Sequence, residues 1–247
     1  MTQAAETSTP VATETAAGPG LISRLLGVLV SPRSAYAAVA ARPRVLGALV
    51  VTLAITAGAQ AGFLSTEVGK EALIDQQTKA MDGLRRLGLN IPDAAYDQLE
   101  ARAASAPYTT AASIVIVTPI FYTIITAVLL AIFNALLGGT ATFKQVYAIL
   151  VHSAVIGCVQ QLFTIPINYA RGEIGSPAQL SVFLPMLDDM GFVYYFLTAI
   201  DLFIIWMIVS SSIGLAVLYK RRTGPIATAQ MAVYVVIALI IAAVRAS

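Results

Sequence analysis

The hydrophobic pattern of this chain consists of long apolar stretches separated by short polar segments. Crossing the hydrocarbon core of a bilayer takes about 20 apolar residues, and a helix satisfies all of its own backbone hydrogen-bonding groups within lipid. Five stretches meet this requirement, and each of them predicts a membrane-spanning helix. They are residues 45–64, 113–137, 143–167, 192–219 and 226–244.

Local signals mark where some of these spans begin and end. Thr109 or Thr110 is a candidate N-cap of the second span, and the pair Gly138-Gly139 predicts its end. The turn after this pair is so short that the third span must fold back antiparallel to the second. Pro225 precedes the fifth span, at a position where a helix tolerates a missing N–H.

The segment before the first span is apolar but too short to cross a membrane. Residues 21–30 have about half of the necessary length, and with Arg24 and Arg33 they suit an interfacial helix that lies on the cytoplasmic leaflet. Ser31-Pro32 breaks this helix, and residues 34–41 begin another short helix. We therefore expect an interfacial amphipathic segment over residues 21–44.

The longest polar segment lies between the first and second spans. Its apolar residues recur at roughly helical spacing, and Pro92-Asp93 opens a second short helix, so residues 67–105 predict an external helical hairpin. The alternative is a solvated connector with no binding role, because charge-laced helices are usually solvated faces. The membrane domain is then residues 45–247, with an external helical excursion at 66–108.

Residues 1–20 are rich in Ala, Thr, Glu and Pro and lack the basic start and apolar stretch of a signal peptide. Such a segment cannot bury enough apolar surface to offset its ordering entropy, so it predicts a disordered cytoplasmic tail.

Composition supports a membrane protein and excludes several functions. Apolar residues make up 58% of the chain and charged residues 11%, far from the average of soluble domains. The single cysteine, Cys158, excludes an internal disulfide and a thiolate metal cluster. A net charge of +2 is too small to drive nucleic-acid binding. We expect no cofactor.

The charged residues divide by sign between alternate loops. Cytoplasmic flanks of spanning helices carry an excess of Lys and Arg, so the basic side is assigned to the cytoplasm. The residues assigned to it are Arg24, Arg33, Arg42, Arg44, Lys144 and the run Lys220, Arg221, Arg222, opposed by Glu6 and Glu14. The other loops are predominantly acidic. This distribution predicts a cytoplasmic N-terminus and a C-terminus outside.

Several polar side chains fall within the spans at similar depths. Such residues are costly in lipid and usually face the bundle interior. Asp201 lies 18 residues before Tyr219, or roughly 27 Å from the inner boundary at 1.5 Å per residue. The same count places five others near this level: Gln60, Gln160, Gln161, Tyr122 and Arg245.

A buried carboxylate is tolerated only when it is paired or protonated. We therefore predict an intramembrane polar cluster in which Asp201 accepts hydrogen bonds from Gln160 or Gln161 and pairs with Arg245. Such a cluster most often fixes helix packing. The sharper alternative is an ion or proton path.

A second polar contact is predicted nearer the inner boundary. His152 lies about 12 Å from that boundary, level with Ser211. We expect the histidine to donate to a serine or a backbone carbonyl and to join two helices. A Ser–His dyad for hydrolysis is the alternative. No nucleophile-elbow glycines surround the serine, and Asp201 lies too far along the helix to orient the imidazole. Cys158 and His152 are six residues apart on one helix and do not form a metal site.

Small residues at four-residue spacing mark two helix-packing faces. Ala54, Gly58 and Gly62 form one face on the first span, and Ser210 with Gly214 forms another on the fourth. Such faces close a bundle or form a dimer. Intramolecular use is favoured, because five spans already require close packing.

Three short sequences resemble a known family of membrane proteins. They are the stretch from Leu25-Leu26 to Ser31-Pro32, the opening Phe143-Lys144-Gln145-Val146 of the third span, and Ile200-Asp201-Leu202-Phe203 with Trp206 and Gly214-Leu215-Ala216. With the order of elements from Leu21 onward, they resemble the Yip domain family, the Ypt-interacting proteins. The resemblance implies five spans and a cytoplasmic N-terminus.

In eukaryotes this family resides in early secretory membranes and contacts small Rab-type GTPases. The acidic-tyrosine motif of those members is absent from the N-terminal tail of this chain, which argues against GTPase binding. An Ala-rich chain with a short tail looks more like the bacterial branch. That resemblance implies the bacterial cytoplasmic (inner) membrane.

The sequence therefore predicts an all-α integral membrane protein, a five-helix transmembrane bundle with an N-terminal interfacial helix. We expect no catalytic residue, and a role in protein interaction, membrane organisation or trafficking. Its expected partners are the lipid bilayer and either other proteins or a second copy. The competing class is a small transporter or channel built on Asp201 and the glutamines. The missing internal repeat and the odd number of spans argue against transport.

Overall fold

The computed structural model describes residues 20–86, 88–186 and 191–246. The predicted disordered tail, apart from Gly20, lies outside these ranges, as do Asp188 and Asp189 of the loop between the third and fourth spans. The helices of the first half are α1 (Leu21–Val30), α2 (Pro32–Ala41), α3 (Leu46–Leu64), α4 (Glu67–Arg86), α5 (Asp93–Asp97) and α6 (Leu99–Leu137). Those of the second half are α7 (Phe143–Ser153), α8 (Val155–Arg171), α9 (Phe192–Ala199), α10 (Leu202–Tyr219) and α11 (Thr223–Ala246).

Among the residues that the structure describes, five helical segments are long and apolar enough to cross a membrane. They are α3, the part of α6 from Leu99 to Ala135, the combined α7 and α8, α10, and α11. Within the described ranges, extended segments pair only at an isolated bridge between Gln179 and Asp201. The prediction of an all-α membrane bundle with five spans is confirmed.

The second span begins earlier than its sequence signals indicate. Helix α6 starts at Leu99, so Thr109 and Thr110 lie inside it and do not cap it. The Thr109 hydroxyl instead donates to the Ser105 carbonyl oxygen at 3.2 Å. Ala106 is buried against α3 and α4, and this packing stabilises the added turns.

The third span, Phe143–Arg171, is interrupted at Ala154, between α7 and α8. A capping box opens α7, in which the Thr142 hydroxyl accepts from the Gln145 backbone N–H and the Gln145 side chain accepts from the Thr142 backbone N–H. This reciprocal pair satisfies two of the free N–H groups at a helix start. The third span therefore begins at Phe143, as the sequence indicates.

Helices α1 and α2 form a hairpin that packs into the bundle. Val28 of α1 and Tyr36 and Val39 of α2 are buried in the main core cluster, together with Ile149 of α7 and Leu215 of α10. The segment predicted to be interfacial therefore forms two helices whose buried residues pack against the bundle. The reason is that α2 finds an apolar partner in α10, whereas α1 keeps an exposed apolar side.

Two chemically different ends follow from this packing. The Gln145 side chain at the start of α7 donates to the Ala40 carbonyl oxygen at the end of α2, at 3.2 Å. Gly139 after α6 and Lys220 after α10 line one cavity with Gln145. We call this the basic end, because Arg42, Arg44, Lys144, Lys220, Arg221 and Arg222 lie at these termini. The opposite end holds α4, α5, the start of α6, residues 171–176 and the first turn of α9. Among the described residues it carries every Asp and Glu except Asp201, so we call it the acidic end.

Candidate functional site: the helix break at Asp201

The predicted fourth span is broken in its N-terminal part. Ile200 and Asp201 have extended backbone conformations, with φ/ψ of −97°/111° and −116°/132°, so α9 ends before them and α10 begins after them. The prediction of one continuous helix over residues 192–219 is wrong at this point. An aspartate side chain competes for nearby backbone N–H groups and therefore favours a helix cap over a helix interior.

The Asp201 carboxylate caps α10. Its Oδ1 atom accepts from the backbone N–H groups of Phe203 at 2.7 Å and Ile204 at 3.3 Å. Its Oδ2 atom accepts from Nε2 of Gln160 on α8 at 3.4 Å. The side chain is 3% exposed, and the N-terminal end of a helix dipole stabilises negative charge. Each carboxylate oxygen thus has a partner within the protein.

Tyr234 of α11 closes the gap between α9 and α10. Its hydroxyl accepts from the Asp201 backbone N–H at 3.0 Å and donates to the Ala199 carbonyl oxygen at 2.8 Å. These two backbone groups would otherwise lose their helical partners at the break. One phenol therefore satisfies a donor and an acceptor that lipid cannot satisfy.

A short extended segment satisfies the remaining backbone groups of the break. The Leu180 N–H donates to the Ile200 carbonyl oxygen at 2.9 Å, and the Leu202 N–H donates to the Ala178 carbonyl oxygen at 3.1 Å. Irregular backbone at membrane depth requires burial in protein of this kind. We call Asp201, Gln160, Tyr234 and residues 178–180 the helix-break site.

The other predicted members of the polar cluster lie apart from Asp201. Gln60 of α3 donates to Oε1 of Gln161 on α8 at 3.0 Å, a separate link between two spans. The Tyr122 hydroxyl of α6 lies 3.9 Å from Sδ of Met207, six residues beyond Asp201 on α10. These contacts join helices in pairs.

Arg245 is distant from Asp201. Tyr234 marks the level of the break on α11, and Arg245 lies eleven residues further, roughly 16 Å along a helix. At the acidic end it lines a cavity with Lys79 of α4 and Tyr195 of α9. The structure therefore brings Gln160, but not Arg245, to the carboxylate.

His152 and Ser211 do not bond to each other. The fully buried imidazole contacts its own helix, with Nδ1 2.7 Å from the Ala148 carbonyl oxygen, and within the described residues Nε2 has no hydrogen-bond partner. Ser211 lies 3.0 Å from Oε1 of Gln230 on α11. The serine therefore joins α10 to α11, and the predicted contact between His152 and Ser211 is not formed.

The predicted face of Ser210 and Gly214 packs against α2. The Tyr36 hydroxyl lies 2.8 Å from Oγ of Ser210, and a Cβ atom at Gly214 would lie 2.5 Å from Ile149 Cγ2 and 2.9 Å from Tyr36 Cδ1. The Tyr36 side chain is completely buried, and this burial raises the pKa of its phenol, so the hydroxyl stays neutral. We call this the Tyr36 contact.

The predicted packing face of Ala54, Gly58 and Gly62 on α3 does not form such a close contact within the described residues. A Cβ atom built at Gly58 or Gly62 meets nothing within 4 Å. Both glycines and Ala54 are exposed on α3. The close approach that this spacing permits is absent from the described part of the chain.

The sequence did not indicate Tyr234 of the helix-break site or Tyr36 of the Tyr36 contact. Tyr234 carries a hydroxyl inside an apolar span. The search for polar side chains within the spans, which identified Asp201, could therefore also have identified Tyr234. Tyr36 belongs to a segment expected at the membrane surface. Its partner Ser210 is 174 residues away, and no local pattern indicates that pairing.

Five apolar spans, a docked N-terminal hairpin and a fully bonded helix break define a polytopic all-α membrane protein. The family model of the Yip1 domain matches residues 26–245. The chain belongs to the Yip1 domain family. Comparison with curated proteins and with solved structures gives no match.

Proposed function

We propose that this protein is a non-enzymatic organiser of the bacterial cytoplasmic membrane, which binds other membrane proteins through the α1–α2 hairpin. The observation that carries this proposal is the Tyr36 contact. It fixes α2 to α10 through a buried hydroxyl pair and a close ring contact. The hairpin therefore presents a fixed surface to a partner.

The exposed side of α1 supplies that surface. Ile22, Leu26 and Val30 are 72%, 55% and 83% exposed, although Val28 on the same helix is almost completely buried. Residues at these spacings share one helix face. An exposed apolar face of this kind is typical of a contact with lipid or with another apolar helix.

The charge distribution supports a cytoplasmic N-terminus. The basic end includes the end of α2 and the turn after α10, and its arginines and lysines are the residues that favour the cytoplasmic side. In the proposed orientation the hairpin faces cytoplasmic partners, and α4 with α5 lies outside.

Site-specific photo-crosslinking in native membranes tests partner binding. A photoreactive amino acid at Leu26 should yield a reproducible adduct with a second protein, because this side chain is exposed on the fixed hairpin. The matched position Val28, buried two residues away, should yield none. Recovery of only this protein, or equal adducts at both positions, would contradict the proposal.

A small transporter is the second candidate, and the broken span favours it, since discontinuous helices form binding sites in transporters. The structure also explains the break as a capped and fully bonded joint. Liposome flux with Asp201→Asn separates the two functions, because Asn retains an oxygen that can cap a helix. We expect no solute-specific flux from either protein. Flux by the original chain that the variant loses would establish transport.

A further inference from the structure

A cavity with polar walls lies at the acidic end, between the end of α8, the loop that follows it and α9. Its volume is about 340 Å³, which falls within the range of small-molecule sites. The residues that line it include Asn168, Arg171, Glu173, Gln179 and Tyr194. We call this the polar cavity.

The loop that bounds the polar cavity is fixed at several points. Ile174 packs against the apolar cluster of α3, α4 and α6. The Leu180 N–H donates to the Ile200 carbonyl oxygen at 2.9 Å, and the buried Ser181 hydroxyl accepts from the Thr198 hydroxyl at 2.9 Å. A ligand therefore meets walls that are already formed, which lowers the entropy cost of binding.

Asn168 brings a polar side chain into this cavity from the last turns of α8. The residue is only 6% exposed, and within the described part of the chain its side-chain amide forms no hydrogen bond. Its carbonyl oxygen is occupied by the Glu173 N–H at the end of the helix. Buried amide groups are nearly always hydrogen-bonded, so this side chain favours a polar ligand in the cavity.

Arg171 and Glu173 give the polar cavity one charge of each sign. Nη2 of Arg171 lies 2.7 Å from Oε2 of Glu173, and both side chains are about half exposed. A guanidinium has five N–H donors and a carboxylate has two oxygens, so both groups can bind a ligand while they stay paired. The nearby cation Lys79 is paired with Asp75 at 2.7 Å. A ligand with both a negative and a positive group matches this arrangement.

An apolar groove adjoins the polar cavity. Its volume is about 240 Å³, and Pro177 lines both features. The Phe203 ring centroid lies 5.7 Å from that of Phe163 and 6.4 Å from that of Trp206, and all three rings line the groove. Phe163 precedes Arg171 by eight residues, roughly 12 Å along α8, so the groove lies deeper in the membrane. We call it the aromatic groove.

The two features together complement an amphipathic molecule with a zwitterionic head. We propose that they bind a phospholipid whose head contains a phosphate and a primary ammonium, with one acyl chain in the aromatic groove. Arg171 donates to the phosphate, Glu173 accepts from the ammonium, and the Asn168 amide supplies a further hydrogen bond. The site shares no residue with the α1–α2 hairpin, so it does not depend on the proposed protein partner.

Native mass spectrometry of the full chain in detergent, titrated with phosphatidylethanolamine, tests this proposal. The double variant Arg171→Gln/Glu173→Gln keeps the net charge and should bind about tenfold more weakly, because hydrogen bonds to charged groups are lost. The matched control is Arg85→Gln/Asp93→Asn, which removes another exposed arginine–carboxylate pair from the same end. It should change the affinity by less than about twofold. An equal loss in both variants would overturn the site.

A comparison of lipids tests recognition of the head. Phosphatidylcholine, whose ammonium has no N–H, and phosphatidylglycerol, which has no ammonium, should each bind at least about fivefold more weakly than phosphatidylethanolamine. Glycerophosphoethanolamine at millimolar concentration should not displace the lipid, because it has the same head but no acyl chains. Equal affinity for the three lipids, tighter binding of phosphatidylglycerol, or displacement by the head alone would contradict the proposal.

The aromatic groove is tested by a second pair of variants. Trp206→Ala removes one of its walls and should weaken binding of phosphatidylethanolamine about fivefold. The matched control is Ile204→Ala, on the same helix and with almost the same exposure but outside the groove, and it should cost less than about twofold. Equal losses would show general contact with lipid and overturn the groove. Thermal unfolding checks the fold of each variant, and this pair replaces the charged pair if that variant unfolds.

Discussion

Replacing Gly214 by Val is expected to disrupt the packing of α2 against α10 and to lower the free energy of unfolding by about 1–3 kcal/mol. The new Cβ atom would lie 2.5 Å from Ile149 Cγ2 and 2.9 Å from the Tyr36 ring. Both neighbours are fully buried, so neither has space to withdraw. The gain in helix propensity over glycine is below about 1 kcal/mol and does not offset the overlap.

Thermal unfolding in detergent measures this effect, and the first span offers matched controls. Gly58→Val and Gly62→Val make the same change where a Cβ atom meets nothing within 4 Å. Their stability should stay within about 0.5 kcal/mol of the original. In a Cys158→Ala background, a cysteine at buried Ala35 should react with a thiol reagent only after Gly214→Val. Equal destabilisation at all three glycines would contradict the Tyr36 contact.

Replacing Asp201 by Ala is expected to lower the free energy of unfolding by about 2–4 kcal/mol. Loss of a helix cap costs about 1 kcal/mol, and a buried amide left without its acceptor costs about 1–3 kcal/mol more. Here the cap serves Phe203 and Ile204, and the amide belongs to Gln160. Asp201→Asn keeps a capping oxygen and should cost less than about 1 kcal/mol.

The same substitution at an exposed carboxylate provides the comparison. Asp97 ends α5 at the surface, and Asp97→Ala should change the stability by less than about 0.5 kcal/mol. Thermal unfolding of the three variants in one detergent gives the ranking. If Asp201→Asn and Asp201→Ala were equally unstable, a carboxylate charge rather than a cap would hold the break together.

The number of spans could be predicted from the sequence because each span must be long and apolar enough to cross the hydrocarbon core of the bilayer. The boundaries depend on local competition and tertiary packing. The Thr109 cap signal was overridden because the turns before it pack against α4 through Ala106. The break at Asp201 was missed because the depth count assumed a straight helix at 1.5 Å per residue.

The candidate site was only partly accessible from sequence for a similar reason. Counting along helices placed Gln160 and Gln161 together, but adjacent residues point about 100° apart, and only Gln160 faces Asp201. The same residue count placed Arg245 at the depth of Asp201. In the structure, α11 continues past the helix break to the acidic end, where Arg245 lies. Depth alone does not fix helix rotation or length.

The Tyr36 contact also has a consequence for the order of events during biosynthesis. Its two partners are 174 residues apart, and a ribosome adding about 5–20 residues per second needs roughly 9–35 seconds to make that interval. During this interval the α1–α2 hairpin has been synthesised, but the α10 helix against which it packs has not. The nascent chain must therefore shelter Tyr36, Val28 and Val39 in lipid or on the insertion machinery, and the amino-terminal segment completes its folding among the last.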